Sequence, residues 1–123
     1  MNAAITAHLA KHGSVYMSVT GLKAKGLLAK LSFWRHAIPS LTQAKSAPGL
    51  LFLDVKPIDG YHHTLTVWEN RKAMVNYIRT GAHAKAMKNF SQFATGKIVG
   101  VEMTTAPTWE EALKVWAEQG RAV

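Results

Sequence analysis

The chain has 123 residues, enough for one domain around one core. Hydrophobic residues make up 48% of it, without a Pro-rich, Gly-rich or single-charge block, which describes a globular protein with no long disordered tail. The formal charge of +8 attracts anionic partners, but the basic residues are spread along the chain. No RNA-recognition signature, zinc-finger spacing or basic zipper accompanies them, which argues against nucleic acid as a partner. The absence of cysteine excludes disulfides, thiolate nucleophiles and Cys-ligated metal centres. No run approaches the ~18 apolar residues of an integral membrane segment, and the start MNAAITAHLAKHG lacks the apolar core of a secretory signal, so a cytoplasmic location is the default.

Residues 1–13 read as an arm, short-helical or loose, and residues 14–120 as a single domain. Ser14 to Thr20 alternate Val15, Met17 and Val19 against Tyr16, Ser18 and Thr20, the pattern of a half-buried strand ending at Gly21. In LKAKGLLAKLSFWRHAIPSLTQAK, the residues Leu27, Leu31, Trp34, Ile38 and Leu41 recur at helical spacing, predicting a helix packed through that stripe. Pro39 either kinks this helix near Arg35 or opens a fresh one. Lys23, Lys25 and Lys30 among the leucines form a basic amphipathic patch suited to an anionic membrane or a lipophilic substrate; in the plainer reading they are a solvated rim and the leucines are core. His36 falls on the side of the helix opposite the stripe.

Leu50 to Lys56 form an apolar run suited to a sheet interior. Asp59-Gly60 has the turn chemistry of an antiparallel hairpin. Tyr61 to Trp68 then alternate, with Tyr61, His63, Leu65 and Val67 on one face and His62, Thr64, Thr66 and Trp68 on the other; a single bulge would exchange the two histidines. The helical pattern carrying Met74, Tyr77 and Ile78 breaks at Thr80-Gly81 and restarts at Ala82, where His83, Met87 and Phe90 share a face. Lys97 to Thr105 is the fourth strand. Thr108 and Glu111 match a capping box opening a last helix with Trp109, Ala112, Leu113 and Trp116 on its apolar stripe.

The order is β-α-β-β-α-β plus a terminal helix. This gives an α+β, ferredoxin-like fold with a four-stranded antiparallel sheet, a broken second helix and a C-terminal helix. The Val15/Met17/Val19 face, which includes His63, should lie beneath the helices. The mixed face with Tyr16, Thr66, Trp68 and neighbouring Phe52 should meet a second copy of the sheet, making a homodimer.

The strand ending TLTVWEN, the helix RKAMVNYIRTGAHAKAM and the FWRHAI helix together resemble the dimeric α/β-barrel superfamily, in particular its small, largely uncharacterised bacterial monooxygenase-like members. The resemblance implies two ferredoxin-like subunits with their sheets pressed together. It also implies activities that range from cofactor-free oxygenation to haem degradation, so the cofactor is none or haem, and a non-catalytic binding or stress-related dimer is a further reading. For a monooxygenase-like enzyme the expected partner is a hydrophobic or aromatic small molecule in a pocket between sheet and helices. His63 and His83 are the expected catalytic residues, as base or as haem partner, and each has the alternative of packing in the core. Trp34, Met74, Tyr77 and Met87 are the expected lining, Trp34 because an inward Trp takes part in the pocket of haem-degrading relatives. Tyr61 and Tyr77 can donate to a substrate oxygen. No protein metal site is expected: of the six histidines only His8 and His12 have ligand spacing, and they lie in the arm.

Overall fold

The computed structural model describes residues 2–123. Helix α1 (Ala3–His12) leads into strand β1 (Val15–Ala24), then α2 (Leu27–Lys45), β2 (Leu50–Ile58), β3 (Tyr61–Trp68), α3 (Arg71–Ile78), α4 (Gly81–Phe93), β4 (Ala94–Met103), α5 (Trp109–Gln119) and the two-residue β5 (Arg121–Ala122). The strands form one antiparallel sheet in the order β2-β3-β1-β4-β5, the ferredoxin-like arrangement extended from four strands to five. The hairpin forms at the expected place, with Asp59 at φ 51° and Gly60 at φ 82° supplying the left-handed turn. The expected capping box is also present: the Thr108 hydroxyl accepts from the Glu111 backbone N–H, and the Glu111 carboxylate accepts from the Thr108 N–H.

Both faces of the sheet are covered by the chain's own helices. On the Val15/Met17/Val19 face, which also carries Leu65, Val67 and Val99, α1 contributes Ile5 and α5 contributes Ala112, all buried in one core. The segment read as an arm is thus a packed helix, capped by the Asn2 side chain on Ala4 N–H at 2.6 Å, with Ile5 fully buried. Trp109 donates its indole N–H to Asp54 at 2.9 Å and Trp116 donates to the Lys97 carbonyl at 2.8 Å, tying α5 to β2 and β4.

The mixed face lies under α2, α3 and α4. Trp68, expected against a partner subunit, is fully buried with its ring 5.2 Å from Tyr77 of α3. Neither sheet face is therefore bare: α1 and α5 occupy one side and α2 to α4 the other, which corrects the expectation that the mixed face lacks helices of its own. Residues 3–12 carry an extra layer that the strand pattern alone does not announce.

Two further expectations change. Strand β1 continues through Gly21 to Ala24. The glycine serves close packing and not a turn, since a Cβ there would overlap the rings of Trp116 and His63. Helix α2 runs unbroken through Pro39, with the Ser40 hydroxyl donating to the His36 carbonyl at 2.8 Å and the Thr42 hydroxyl to the Ile38 carbonyl at 3.0 Å. It packs through Phe33, Ala37, Ser40 and Ala44, so Leu27, Leu31, Trp34 and Ile38 point outward instead of forming core.

Because Ile5 closes the main core, Ile5→Ala should lower unfolding stability by about 2–4 kcal/mol. Urea titration followed by circular dichroism would measure this, and an unchanged midpoint would mean that α1 does not hold the core.

Candidate functional site

The antiparallel register decides which histidine faces which helices. Gly21 pairs with His63 and Leu22 with His62, without a bulge in β3 at these positions. His63 therefore turns toward α5. Its Nδ1 lies 3.2 Å from the Thr20 carbonyl, which accepts from it as N–H, and Trp116 stands edge-on to its ring at 4.7 Å. Burial holds its pKa below the ordinary 6.5, against a smaller opposite effect of the Thr20 carbonyl. His62 turns toward α2, and its ring lies 5.1 Å from Phe33 and 4.9 Å from Trp34.

The sheet face under α2 to α4 has an aromatic group at each end. At one end Trp68, Tyr77 and His83 form a string with centroid spacings of 5.2 Å and 4.7 Å. Tyr77 donates its hydroxyl to the Ser40 carbonyl at 2.8 Å, and burial raises its pKa to about 12, so it remains a donor. His83 is fixed on two sides: Gln43 accepts from its backbone N–H at 2.9 Å, and its Nδ1 lies 3.3 Å from the Ile78 carbonyl. Burial lowers its pKa, with that carbonyl opposing. Between the two ends the floor is paved with Ser18, Thr20, Thr64 and Thr66. Six residues along β3 put His62 about 20 Å from Trp68, at the far end of this floor.

His63 and His83, expected to meet in one pocket, lie on opposite faces of the sheet. Of the expected lining, Tyr77 joins His83, Trp34 joins His62, Met74 is half-buried on α3, and Met87 is largely exposed on α4. Neither His63 nor His83 borders either of the two depressions described next. The first, about 330 Å³, sits between the hairpin end of the sheet and the first turn of α2, lined by Ala24, Pro57, Gly60, Tyr61 and His62 with Lys23 and Lys30. The second, about 470 Å³, is an open polar trough between α2 and α4 with Arg35, His36 and Lys85 on its walls. His36, placed in solvent by a straight-helix argument, stacks on Phe93 at 5.0 Å.

His62 and the flanking lysines were the residues that periodicity undervalued. The available signal was the alternation itself, which puts His62 on the face of Thr64, Thr66 and Trp68. The His63 ring packs edge-on against Trp116 and the His83 ring lies beside Tyr77, and neither ring borders either of the two depressions. Among the described residues no three His, Asp or Glu side chains converge on a metal position.

No family model and no curated protein matches the sequence. Solved structures share the fold. A protein of unknown function from Nitrosomonas europaea is 15% identical, covering 79% of this chain and 96% of its own, with a TM-score of 0.62. SnoaB, a cofactor-independent oxygenase from Streptomyces nogalater, is 14% identical over 78% of this chain and 97% of its own, with a TM-score of 0.54. A candidate antibiotic biosynthesis monooxygenase from Nitrosomonas europaea is 14% identical over 72% and 95%, with a TM-score of 0.59. The chain thus shares the α+β fold of these structures.

The two buried histidines make a pH prediction. Each pKa is lowered on folding, so below about 6.5 the unfolded chain binds protons that the folded chain refuses, and stability falls as pH drops from 7 toward 5. Replacing His83 by Gln should flatten that fall in a denaturant series across pH; an unchanged slope would show that His83 charges as readily folded as unfolded.

Proposed function

We propose that the protein is a monooxygenase-like oxidoreductase acting on a hydrophobic or aromatic small molecule in the pocket under the first turn of α2, with His62 as the base. The observation that carries this reading is the placement of one imidazole on the wall of an otherwise largely apolar pocket, between Phe33 and Trp34, with two lysines at its mouth. A mostly apolar cavity with a few convergent polar groups is the default ligand site, and imidazole is the side chain suited to taking a proton near neutral pH. The likeness to SnoaB, a cofactor-independent oxygenase, supports the reaction class through fold alone.

Cofactor-free oxygenation needs a substrate whose own carbanion reduces oxygen. His62 would remove a proton from an acidic methylene beside an aromatic ketone, and the ammonium groups of Lys23 and Lys30 would stabilise the enolate oxygen. Oxygen adds at the carbanion carbon and the hydroperoxide loses water, so the methylene and one O₂ become a carbonyl and one water. His63 and His83, the catalytic residues expected from the sequence, take supporting places in this scheme.

The test is oxygen uptake by the purified protein with a polycyclic aromatic ketone bearing an acidic methylene, with product read as the new carbonyl. His62→Ala should lower kcat by roughly 100-fold or more, and His63→Gln far less. Uptake that is undiminished in His62→Ala would sink the assignment, as would the absence of uptake by the unaltered protein across a panel of such ketones.

A further inference from the structure

The net charge of the molecule lies in one layer. Helix α2 carries Lys30, Arg35 and Lys45, while the stretch from Arg71 to Phe93 carries Arg71, Lys72, Arg79, Lys85 and Lys88; neither contains an Asp or Glu. These eight cations are all exposed. The seven cations elsewhere are matched by the chain's seven acids, so the whole +8 sits on the α2–α4 side. Helices α2 and α4 lie side by side there, joined across the polar trough that Arg35 and Lys85 share.

The same layer exposes its largest apolar side chains. Leu27 is 84% exposed, Leu28 86%, Leu31 73% and Ile38 59%. With Trp34, the residues Leu27, Leu31 and Ile38 span about 60° of the helix, a continuous stripe and not scattered positions. Lys23, Lys25 and Lys30 border its N-terminal end. Singly exposed apolar residues need no explanation, but a contiguous stripe does.

We propose that this face docks on an anionic lipid bilayer, with Leu27, Leu28, Leu31 and Trp34 entering the headgroup region and the surrounding Lys and Arg meeting lipid phosphates. Apolar side chains flanked by cations on one side of a helix match an anionic bilayer in both respects. A second copy of the chain fits less well, because pairing through this layer would bring eight cations toward eight. A nucleic acid would use the cations and leave the leucines without a partner. The inference stands apart from the enzymatic reading except that Lys30 belongs both to the patch and to the pocket mouth. If both hold, a lipophilic substrate reaches His62 from the bilayer.

Flotation of the full chain with vesicles is the test, comparing phosphatidylcholine alone with phosphatidylcholine containing roughly 30% phosphatidylglycerol. Binding to the anionic vesicles should exceed binding to the neutral ones by at least ~10-fold and weaken as salt is raised. The double variant L27D/L31D should bind roughly 100-fold more weakly with an unchanged Tm, since both side chains are solvated in the free protein. Charge reversal by R35E/K88E should cost roughly 10-fold or more. Failure of the unaltered protein to float with anionic vesicles would overturn the proposal, as would L27D/L31D floating as well as its parent. A doubled mass in light scattering that L27D/L31D alone abolishes would assign the stripe to a second copy instead. Binding to duplex DNA that R35E/K88E loses and L27D/L31D keeps, without flotation, would assign the face to nucleic acid. Flotation without oxygen uptake would leave the docking surface standing and remove the enzymatic reading.

Discussion

The contact on which the rest depends is the one at Gly21, where β1 passes opposite His63 and beneath Trp116. A side chain there would occupy the space of both rings, so only glycine lets α5 settle on the sheet at this point. The paired register then follows: His63 is committed to the α5 side, where the Thr20 carbonyl and Trp116 hold it, and His62 to the α2 side. Two adjacent imidazoles acquire different environments from the two-residue period of the strand alone. One is buried against Trp116; the other lines a depression and packs beside Phe33 and Trp34.

The two faces of the sheet divide the remaining work unequally. Under α1 and α5 lies a closed core of Ile5, Met17, Val19, Leu65, Val67 and Ala112, each burying most of its side chain. Both covering helices have side-chain caps at their N-termini, Asn2 on α1 and Thr108 on α5, each the kind of feature that contributes ~1 kcal/mol. Under α2 to α4 the floor is hydroxyl-rich and the aromatic groups sit at its two ends; Asn70 caps α3, Gln43 accepts from the His83 N–H in the first turn of α4, and α2 begins at Gly26 with no side-chain cap.

Much of the architecture was legible because it depends on local chemistry. Alternation located the strands, Asp59-Gly60 the hairpin, Thr108 with Glu111 the last helix, and Thr80-Gly81 the break between α3 and α4. What stayed hidden needed information about partners in space. The leucine stripe of α2 has the period of a buried face, yet the helix approaches the sheet through Phe33, Ala37, Ser40 and Ala44, whose smaller side chains, Phe33 excepted, allow closer contact. Periodicity reports a stripe and cannot say that a second, less hydrophobic one is chosen. Gly21 looked like a turn because glycine marks turns as well as close approaches. Ile5 and Leu9 in a short N-terminal segment could not announce that they complete a core. Their contribution is visible only once the opposite sheet face is found to be occupied by α2 to α4.

The inverted orientation of α2 connects the packing to the chemistry. Had the leucines been core, Trp34 would have lain beneath the helix and the lysines beside them would have been an ordinary solvated rim. Turned outward, the leucines leave Trp34 at the side of the helix, where its ring reaches His62, and leave Lys30 at the mouth of the pocket below. Eight exposed cations without an acid among them repel one another, a cost to the folded state that no ion pair within α2, α3 or α4 can offset because these helices contain no carboxylate side chain. Local sequence choices that oppose stability are found where a surface has another task. Here the opposing choices coincide on one layer: solvated leucines and cations with no acid among them, both on the side of the sheet where His62 lines a depression.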